Sequence, residues 1–334
     1  MADDAETISN RFSGKRVVIV GDLVADQFLH GTISRVSREA PVFILRHDST
    51  ATIPGAAANA AANVASLGGQ PLLVGIIGAD PSGEKLSSAM SSRGVDCRYV
   101  VADAEFATTT KVRVLAGQHY AGRQQVIRID YENQAGISRS VHDELRKNFA
   151  AAAAVADAII LSDYSYGAIF GDLIADAIDQ SRRLKIPLIV DSRYSLRDFA
   201  GATTATPNRE EVEQILGKDF TLDACRTLRE SMGFTSLLVT DGNKGMTLFE
   251  ADKPPYRIDA VGSPEPVDVT GAGDTVIAAY ALGLAVGMDF ADAATVANHA
   301  GGIVVMKKGT ACVTIDELTE SLDSAENRVS MCAS

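Results

Sequence analysis

Residues 267–275 read Val-Asp-Val-Thr-Gly-Ala-Gly-Asp-Thr, and the helical run Val276–Gly287 follows at once. A glycine turn that opens a helix presents unpaired backbone N–H groups at the positive end of the helix dipole, which makes an anion site. The two glycines let the backbone approach a phosphate closely, because a Cβ atom would obstruct it. The carboxylate of Asp274 lies in the same first turn, where it can accept a proton from a hydroxyl that attacks the bound phosphate.

This motif also has a structural interpretation, because Asp commonly stabilises the amino end of a helix. A dinucleotide-binding turn fits less well, since Val276 stands where the third glycine belongs. The sequence has no Gly-Lys followed by Ser or Thr, and no His-Glu-x-x-His, so a Walker A loop and a zincin site are excluded. The catalytic interpretation therefore depends on the rest of the chain.

Outside this stretch, short runs rich in β-branched residues alternate with helical patterns. The predicted strands are Val17–Val20, Leu72–Ile77, Ala158–Leu161, Pro187–Val190 and Ser236–Thr240. The predicted helices are Ala56–Leu67, Gly83–Ser92, Val141–Ala154, Asp172–Leu184 and two that begin at Asn208 and Leu222. Strands separated by helices of this length are typical of a parallel sheet covered by helices, so the sequence predicts an α/β domain.

Two stretches, at about residues 32–48 and 108–130, do not follow this alternation of strands and helices. Both show apolar/polar alternation without a helical period, and the second carries a glycine-bearing turn at Ala116–Gly122. Such stretches predict antiparallel hairpins with one exposed face, which suit a small β-strand lid, although two ordinary edge hairpins are the alternative. We expect a single domain over residues 1–330, with a polar tail at 324–334.

Composition limits the classes of partner. The 334 residues are 46% hydrophobic and carry a formal net charge of −12, so the chain can build a large core but repels nucleic acid and anionic membrane surfaces. Its four cysteines are scattered, and its amino terminus is acidic and polar without a secretory signal. We therefore expect a cytoplasmic protein that binds neither nucleic acid nor membranes.

Three further segments have both a structural and a functional interpretation. Small residues at Gly55–Asn59 allow a ligand to approach the backbone, although tight helix packing is the more common explanation. Asn208–Glu211 begins a helix as an N-cap followed by acidic residues. Thr240–Gly245 follows a strand and has the composition of a tight turn. None of the three indicates a function by itself.

Together, these segments resemble the ribokinase-like (PfkB) carbohydrate kinase family. The resemblance extends from about Val17 to Leu322, with the motifs in the expected order, and Asp268–Asp274 matches the carboxyl-terminal signature of that family. It implies a Rossmann-like, mostly parallel sheet with helices on both faces and a small β-strand lid. It also implies transfer of the γ-phosphoryl group of ATP to a sugar hydroxyl, with Mg²⁺ and in some members K⁺.

The resemblance assigns roles to individual residues. Asp274 is implied to be the catalytic base, with Gly271, Ala272 and Gly273 as the anion hole. The implied ATP-binding residues are Asn208, Glu211, Thr240, Gly242, Gly245 and Asn298, and Glu211 would organise Mg²⁺ through water. The implied sugar-binding residues include Asp22, Asp26, Gly55 and Asn59. A monovalent cation would lie near Asp268 and Thr270.

A narrower resemblance links six segments to the kinase part of bacterial ADP-heptose synthases, which implies D-glycero-β-D-manno-heptose 7-phosphate as the acceptor and O1 as the attacking atom. The segments are Asp26–Gly31, Ser34–Val42, Thr110–Val114, Gln124–Glu132, Leu161–Tyr164 and Thr206–Asn208. The candidates for binding the acceptor's anionic group are Arg35, Lys111, Arg113, Arg128 and Arg193, although solvated surface charges are the commoner fate of such residues. A separate nucleotidyltransferase and a homodimer formed through the lid are expected by the same analogy.

Several positions depart from the narrower pattern. Arg38 and Phe43 replace prolines, Tyr166 stands where a lysine is expected, and Arg193 replaces another lysine. Arg and Lys bind phosphate with different geometry, so a kinase for fructose 6-phosphate, ribose, adenosine or another sugar is the alternative. A non-catalytic sugar- or nucleotide-sensing protein on the same fold is a third hypothesis, which the joint presence of base, metal motif and anion hole disfavours.

Overall fold

The computed structural model describes residues 5–117, 123–133, 136–263 and 265–332. The strands are β1 Arg16–Gly21, β2 Leu23–Val36, β3 Phe43–Ala56, β4 Gln70–Gly78, β5 Asp96–Asp103, β6 Thr110–Gly117, β7 Gln124–Tyr131, β8 Ala158–Asp163, β9 Leu188–Ser192, β10 Thr204–Ala205, β11 Ser236–Thr240, β12 Met246–Glu250 and β13 Tyr256–Ile258. The α-helices are α1 Ala5–Phe12, α2 Ala57–Ser66, α3 Pro81–Ser91, α4 Arg139–Ala153, α5 Gly171–Leu184, α6 Arg209–Leu216, α7 Leu222–Met232, α8 Ala272–Ala285, α9 Phe290–Val304 and α10 Ile315–Cys332.

The central sheet has nine strands in the order β13-β12-β11-β10-β9-β8-β1-β4-β5. The seven strands from β11 to β5 pair in parallel, whereas β12 and β13 add an antiparallel edge. Parallel neighbours need long crossover connections, and the helices between the strands supply them. The predicted α/β architecture is confirmed, while the antiparallel edge was not expected from the sequence.

Strand β1 shows how the sheet divides the core into two layers. Val17 and Ile19 are fully buried on one face, where they pack with residues of α2, α8 and α9. Val18 and Val20 are fully buried on the other face, where they pack with residues of α4, α5 and α7. A parallel sheet is covered on both faces, so its central strands are apolar without alternation. The predicted helix layers on both faces are present.

The two predicted lid stretches form a second sheet of four strands, in the order β3-β2-β6-β7. β2 pairs antiparallel with β3 and parallel with β6, and β6 pairs antiparallel with β7. The first hairpin is longer than predicted, because its pairing runs from Leu23 opposite Ala56 to Val36 opposite Phe43. Since β1 leads through one residue into β2, the base of the lid lies at the carboxyl end of β1. Most of the predicted turn at Ala116–Gly122 lies outside the described residues.

The carboxyl-terminal helix differs from the expectation for the end of the chain. Residues beyond Asp323 were expected to form a polar tail, but α10 continues from Ile315 to Cys332. Helix α1 at the other end was also not predicted, and Phe12 in it is fully buried. Among the described residues, no helix combines the length and apolar character needed to cross a membrane.

Candidate functional site

Residues at the carboxyl ends of neighbouring parallel strands converge on one edge of the sheet. Tyr164 follows β8, Arg193 follows β9, Asn208 follows β10 and Thr240 ends β11. Ligands of open α/β sheets bind at this edge, outside the carboxyl ends of the strands. Here the edge, the base of the lid and the start of α8 surround a cavity of about 260 Å³, the first cavity.

Helix α8 places Asp274 against this cavity. The helix begins at Ala272, and Gly271 precedes it in the left-handed conformation with φ of 79°. A Cβ atom at Gly271 would lie 2.6 Å from Nδ2 of Asn59, so only glycine fits there. At Gly273 an added Cβ would meet nothing within 4 Å, so the first turn is open on that side. The predicted glycine turn at the start of a helix is therefore present, and it faces a cavity.

The carboxylate of Asp274 is 4% exposed and accepts a hydrogen bond on each oxygen. Asn59 donates from Nδ2 to Oδ2, and Tyr164 donates from its hydroxyl to Oδ1, both at 2.8 Å. Burial raises the pKa of Asp274 to about 6, although the two hydrogen bonds act in the opposite direction. This carboxyl therefore titrates near the pH at which a general base works best.

Asn59 is itself held by a second asparagine of α2. Asn63 donates from Nδ2 to the backbone oxygen of Asn59 at 3.0 Å, and it accepts from the hydroxyl of Thr275 at 3.0 Å. Both asparagines are buried. The sequence analysis expected Asn59 to hold the sugar, but its side-chain amide binds Asp274 and it does not line the first cavity among the described residues. Asn59 thus holds the carboxylate of Asp274, and its predicted contact with the sugar stays a prediction.

Charged side chains of both signs line the first cavity. The cations are Lys111, Arg113 and Arg193, and the carboxylates are Asp26, Asp191, Glu211 and Asp274. Arg113 is paired with Asp26 through a short ion pair. Arg193 lies 4.8 Å from the ring centre of Tyr164, and Lys111 lies 5.5 Å from that of Tyr166. Burial lowers the pKa of Lys111 against the opposing effect of the charges of Asp26 and Asp130, and among the described residues Lys111 forms no ion pair.

Asn208 and Glu211 cap the amino end of α6, and both also line the first cavity. They form a reciprocal capping box at the start of α6, in which Glu211 Oε2 accepts from the backbone N–H of Asn208 at 2.8 Å. Burial raises the pKa of Glu211. Burial, followed by the charge of Glu211, raises the pKa of Asp191 well above its ordinary value. These two carboxyls concentrate negative charge at one wall of the cavity, which favours a cation.

A second cavity of about 170 Å³ adjoins the first. The predicted nucleotide-binding residues Thr240, Gly242, Gly245 and Asn298 line it. Gly245 has a φ of 87°, and a Cβ there would collide with the carbonyl oxygen of Ile258, so the turn requires glycine. Both cavities share four lining residues, namely Thr240, Val269, Ala272 and Gly273. The start of α8 therefore forms the junction between them.

Asp22 was predicted to hold the sugar, but it is not among the residues that line the first cavity, so that role stays a prediction. Its carboxylate is 2% exposed and accepts three backbone hydrogen bonds, from Tyr164, Tyr166 and Ala168. The carboxylate therefore fixes the loop after β8. Gly55 has a similar indirect role, because a Cβ at this position would lie 2.6 Å from Oδ2 of Asp26.

Two of the predicted anion-binding arginines lie elsewhere. Arg35 is exposed near the outer end of β2, and Arg128 on β7 donates two hydrogen bonds to Asp130 on the same strand. Residues two apart on a strand point to the same face, which explains this pairing. Among the described residues, neither arginine lines the first cavity, so the prediction that they bind the acceptor is not supported.

Asp268 also binds backbone. Its two oxygens accept from the N–H groups of Thr270 at 2.9 Å and Gly309 at 3.0 Å. Burial disfavours the charged form of Asp268, but these hydrogen bonds outweigh burial. The pKa of Asp268 is therefore lowered, and its carboxyl stays charged. In the part of the chain that the structure describes, no cluster of three or more His, Cys, Asp or Glu side chains could hold a metal ion.

Sequence reasoning missed two residues of the site. Tyr164 was noted only within a matching segment, and Asp191 was given no role. Tyr164 follows β8, and Asp191 is the penultimate residue of β9. Their places at strand ends are the signal that could have found them, since the carboxyl ends of parallel strands meet at one edge of the sheet.

Comparisons with known proteins agree with this geometry. The family described as pfkB family carbohydrate kinase matches residues 15–316. The bifunctional protein HldE of Gluconobacter oxydans is 37% identical over 314 residues, and that of Shewanella baltica is 39% identical over 316 residues. These alignments cover 92% and 93% of this chain, but 64% of the length of each relative.

Solved structures show the same fold at low sequence identity. Ribokinase of Arabidopsis thaliana, complexed with ribose and ATP, has a TM-score of 0.69 at 20% identity, and the match covers 93% of this chain and 99% of that one. Phosphofructokinase-2 of Escherichia coli, in complex with potassium, has a TM-score of 0.73 at 17% identity with the same coverage. The predicted ribokinase-like fold is confirmed.

The first turn of α8 gives a matched pair of substitutions. Gly271→Ala should lower the melting temperature, because an alanine in the left-handed conformation costs about 1–2 kcal/mol and its Cβ would displace Asn59. Gly273→Ala should keep or raise it, because replacing glycine by alanine inside a helix gains about 0.5–1 kcal/mol and the added Cβ meets no atom. Thermal unfolding of the two variants checks this, and equal melting temperatures would contradict the assigned geometry.

Proposed function

Because the chain belongs to the pfkB family of carbohydrate kinases, we propose that it transfers the γ-phosphoryl group of ATP to the anomeric hydroxyl of a phosphorylated heptose. Membership of the family makes the chain a sugar kinase that uses ATP, which sets aside the sensing-protein hypothesis. The proposal concerns the acceptor and the roles of the residues. Its main support is the buried carboxylate of Asp274 beside the junction of the two cavities.

Asp274 is the proposed base of the transfer. Phosphoryl transfer depends on positioning and charge stabilisation, with little covalent work by the protein. The acceptor hydroxyl loses its proton to Asp274 as its oxygen bonds to phosphorus, and ADP leaves. Gly271, Ala272 and Gly273 are the proposed anion hole, because they lie at the amino end of α8, where the helix dipole would stabilise negative charge on the transferred group. The N–H of Ala272 donates to the backbone oxygen of Val269 at 3.2 Å, so the N–H groups of the two glycines are the proposed donors.

The second cavity is the proposed site of the ATP base and ribose. Its walls combine the glycine turn at Gly242 and Gly245 with Val276 of α8 and with Gly301 and Gly302 of α9. Asn298 donates its side-chain N–H to the backbone oxygen of Asp259 at 2.8 Å, so this amide is already oriented. A nucleotide in this cavity would extend its phosphates past Thr240 toward the start of α8, because Thr240 belongs to both cavities.

Mg²⁺ is the proposed metal, and the carboxyls of the first cavity fit it. Mg²⁺ in nucleotide sites is bound through one or two carboxylates, waters and substrate phosphates. Burial is the main cause of the raised pKa values of Glu211 and Asp191, and a cation beside these carboxyls would favour their charged forms. Glu211 would hold the ion through water, and the ion would neutralise charge on the phosphates when bound.

The contacts of Asp268 do not support a role for its carboxylate in binding K⁺. Both of its carboxylate oxygens accept backbone hydrogen bonds that join Thr270 to the loop at Gly309. We therefore assign Asp268 to holding that loop and derive no step through a monovalent cation.

The acceptor is proposed to carry a phosphate because two cations that line the first cavity, Lys111 and Arg193, form no ion pair among the described residues. Arg113, in contrast, is paired with Asp26. Heptose 7-phosphate and fructose 6-phosphate are both phosphorylated candidates, and the narrower resemblance favours D-glycero-β-D-manno-heptose 7-phosphate. The relatives named bifunctional protein HldE are longer than this chain. We therefore propose only the kinase reaction for this domain and expect a separate nucleotidyltransferase to carry out the second one.

Replacing the base gives the direct test of the reaction. Asp274→Asn should lower kcat by about 10²–10⁴-fold, since that is the usual contribution of a general base, while ATP binding measured by calorimetry stays near that of the wild type. Asp172→Asn is the matched control, because Asp172 is also an acid in the first turn of a helix but lies exposed on α5. Near-normal turnover of Asp274→Asn would remove Asp274 as the base.

The acceptor can be identified with a coupled assay of ADP release. We expect the highest kcat/KM with heptose 7-phosphate in a panel that also contains fructose 6-phosphate, ribose and adenosine. Lys111→Met should raise the KM of the phosphorylated acceptor by about tenfold or more, the loss of one charged hydrogen bond, with little effect on the KM of ATP. Arg35→Met is the control, because Arg35 lies outside the cavity. Turnover of another compound alone would overturn the heptose assignment and leave the kinase assignment intact.

A homodimer through the lid is also proposed. All eight residues of the edge strand β7 are exposed, including Ile127 at 53% and Tyr131 at 57%. Exposed apolar edge strands favour pairing with another chain. Phe43 at 59% on the opposite edge adds to the apolar surface of the lid.

Sedimentation equilibrium tests the proposed dimer. The wild-type chain should behave as a dimer at micromolar concentration, and Ile127→Lys should shift it to a monomer because a charge would be buried in the interface. Val155→Lys is the control, since Val155 is 42% exposed on the central domain. A wild-type chain that remains monomeric at all concentrations would contradict the dimer.

A further inference from the structure

Tyr164 is the feature of the site that the proposed mechanism does not yet use. It is the first residue after β8, and its hydroxyl donates to Oδ1 of Asp274 at 2.8 Å across 110 residues of chain. Asn59 donates to Oδ2 of the same carboxylate at 2.8 Å. The two donors occupy different oxygens, so the plane of the carboxylate is fixed from both sides.

The position of Tyr164 is set by several independent contacts. Its backbone N–H donates to Oδ2 of Asp22 at 2.8 Å, and that buried carboxylate also holds the next turn of the loop. Asp163 accepts from the N–H of Ser165 at 2.9 Å and from the hydroxyl of Ser192 at 2.7 Å. The guanidinium of Arg193 lies over the ring of Tyr164. These contacts hold the hydroxyl of Tyr164 against Oδ1 of Asp274.

We propose that Tyr164 is a positioning residue, which together with Asn59 holds the carboxylate of Asp274 in one orientation and in its charged form. This inference rests on the proposed function, because it takes Asp274 to be the base. A carboxylate oxygen can accept more than one hydrogen bond, so the donors leave lone pairs for the proton of the acceptor. When the acceptor oxygen bonds to phosphorus, its proton goes to Asp274, and Tyr164 keeps its own proton throughout.

Tyr164 remains a donor at every pH at which the enzyme can be assayed. Burial, followed by the charge of Asp274, raises the pKa of its phenol well above the ordinary value. Hydrogen bonding to the charged form of an acid favours that form, so Tyr164 lowers the pKa of Asp274 against the larger effect of burial. Removing the hydroxyl should therefore raise the pH at which Asp274 loses its proton.

Other groups also face Asp274, and none of them changes in the proposed variant. They are Asp26 on β2, Asp191 on β9, Arg193 beyond β9, and Cys312 in the segment before α10. Asp26 and Asp191 disfavour the charged carboxylate, whereas Arg193 favours it. Tyr164→Phe keeps the ring beneath Arg193 and removes only the hydroxyl, so the change reports on one hydrogen bond.

The test is the pH dependence of kcat/KM for the full chain from pH 5 to pH 9 with a saturating nucleotide. The wild-type rate should fall as the pH drops through about 6, where Asp274 takes up a proton. In Tyr164→Phe this acid limb should move upward by about one pH unit, the scale of one charge-assisted hydrogen bond, with the rates converging toward high pH. A loss of rate at every pH with an unshifted limb would overturn the inference.

Tyr280→Phe is the matched control, because it also removes a buried phenol, one that bonds Ser236 and not Asp274. Its acid limb should stay at the wild-type pH, and an equal shift in this variant would mean that loss of any buried hydroxyl moves the profile. Should Tyr164→Phe fail to fold, Asn59→Ala decides, because it removes the donor on the other oxygen and should shift the limb in the same direction. An unshifted limb in that variant would also overturn the inference.

Different variants test the base and its positioning residue. If Asp274→Asn retains turnover, the base is misassigned and the proposed function fails. If Asp274→Asn is inactive while Tyr164→Phe keeps the wild-type limb, the base stands and Tyr164 has no part in holding it.

Discussion

The burial of one carboxylate at the amino end of α8 constrains much of the site around it. Asp274 loses most of its hydration, and a charged group in that position persists only with hydrogen bonds and a favourable dipole. Those requirements explain why Asn59 approaches so closely that residue 271 must be glycine. They also explain why the helix begins at a backbone conformation that an alanine would adopt only with strain. The result is an acid with a pKa of about 6 that lines the first cavity, next to the residues that both cavities share.

Several carboxylates of this acidic chain serve to organise backbone. Asp22 holds the loop after β8, Asp268 joins two loops near α8, and Asp80 accepts from the N–H groups of Gly83 and Thr108. Loops that leave the ends of parallel strands carry N–H groups without partners in the sheet, and a buried carboxylate satisfies two or three of them at once. A large net negative charge is therefore compatible with anionic ligands, because part of that charge is already neutralised by the fold.

The sequence predicted the parallel sheet, its helix layers, the lid hairpins and the glycine turn of α8, because each depends on a local pattern with a clear period. The contact between Tyr164 and Asp274 could not be predicted, since it joins residues of two distant elements. Asp22 was assigned to the ligand because sequence does not tell whether a carboxylate faces a cavity or a backbone. The pairing of Arg128 with Asp130, in contrast, could have been read from their spacing on one strand. The antiparallel edge of the sheet was missed because its strands are short and lack strong alternation.

Strand β2 extends over fourteen residues from the edge of the central sheet to the outer end of the lid, and its pairing with β3 has register shifts after His30 and after Ile33. At about 3.3 Å per residue that is a span of roughly 45 Å, with Asp26 near the inner end. The inner end of this strand lines the first cavity, whereas its outer end is exposed, so the strand would act as a lever between the surface and the cavity. A rotation of a few degrees at its base moves the outer end by several ångströms, and the reverse also holds. Substitutions near the outer end of the lid can thus change which acceptor is bound, while residues 271–274 at the start of α8 stay in place.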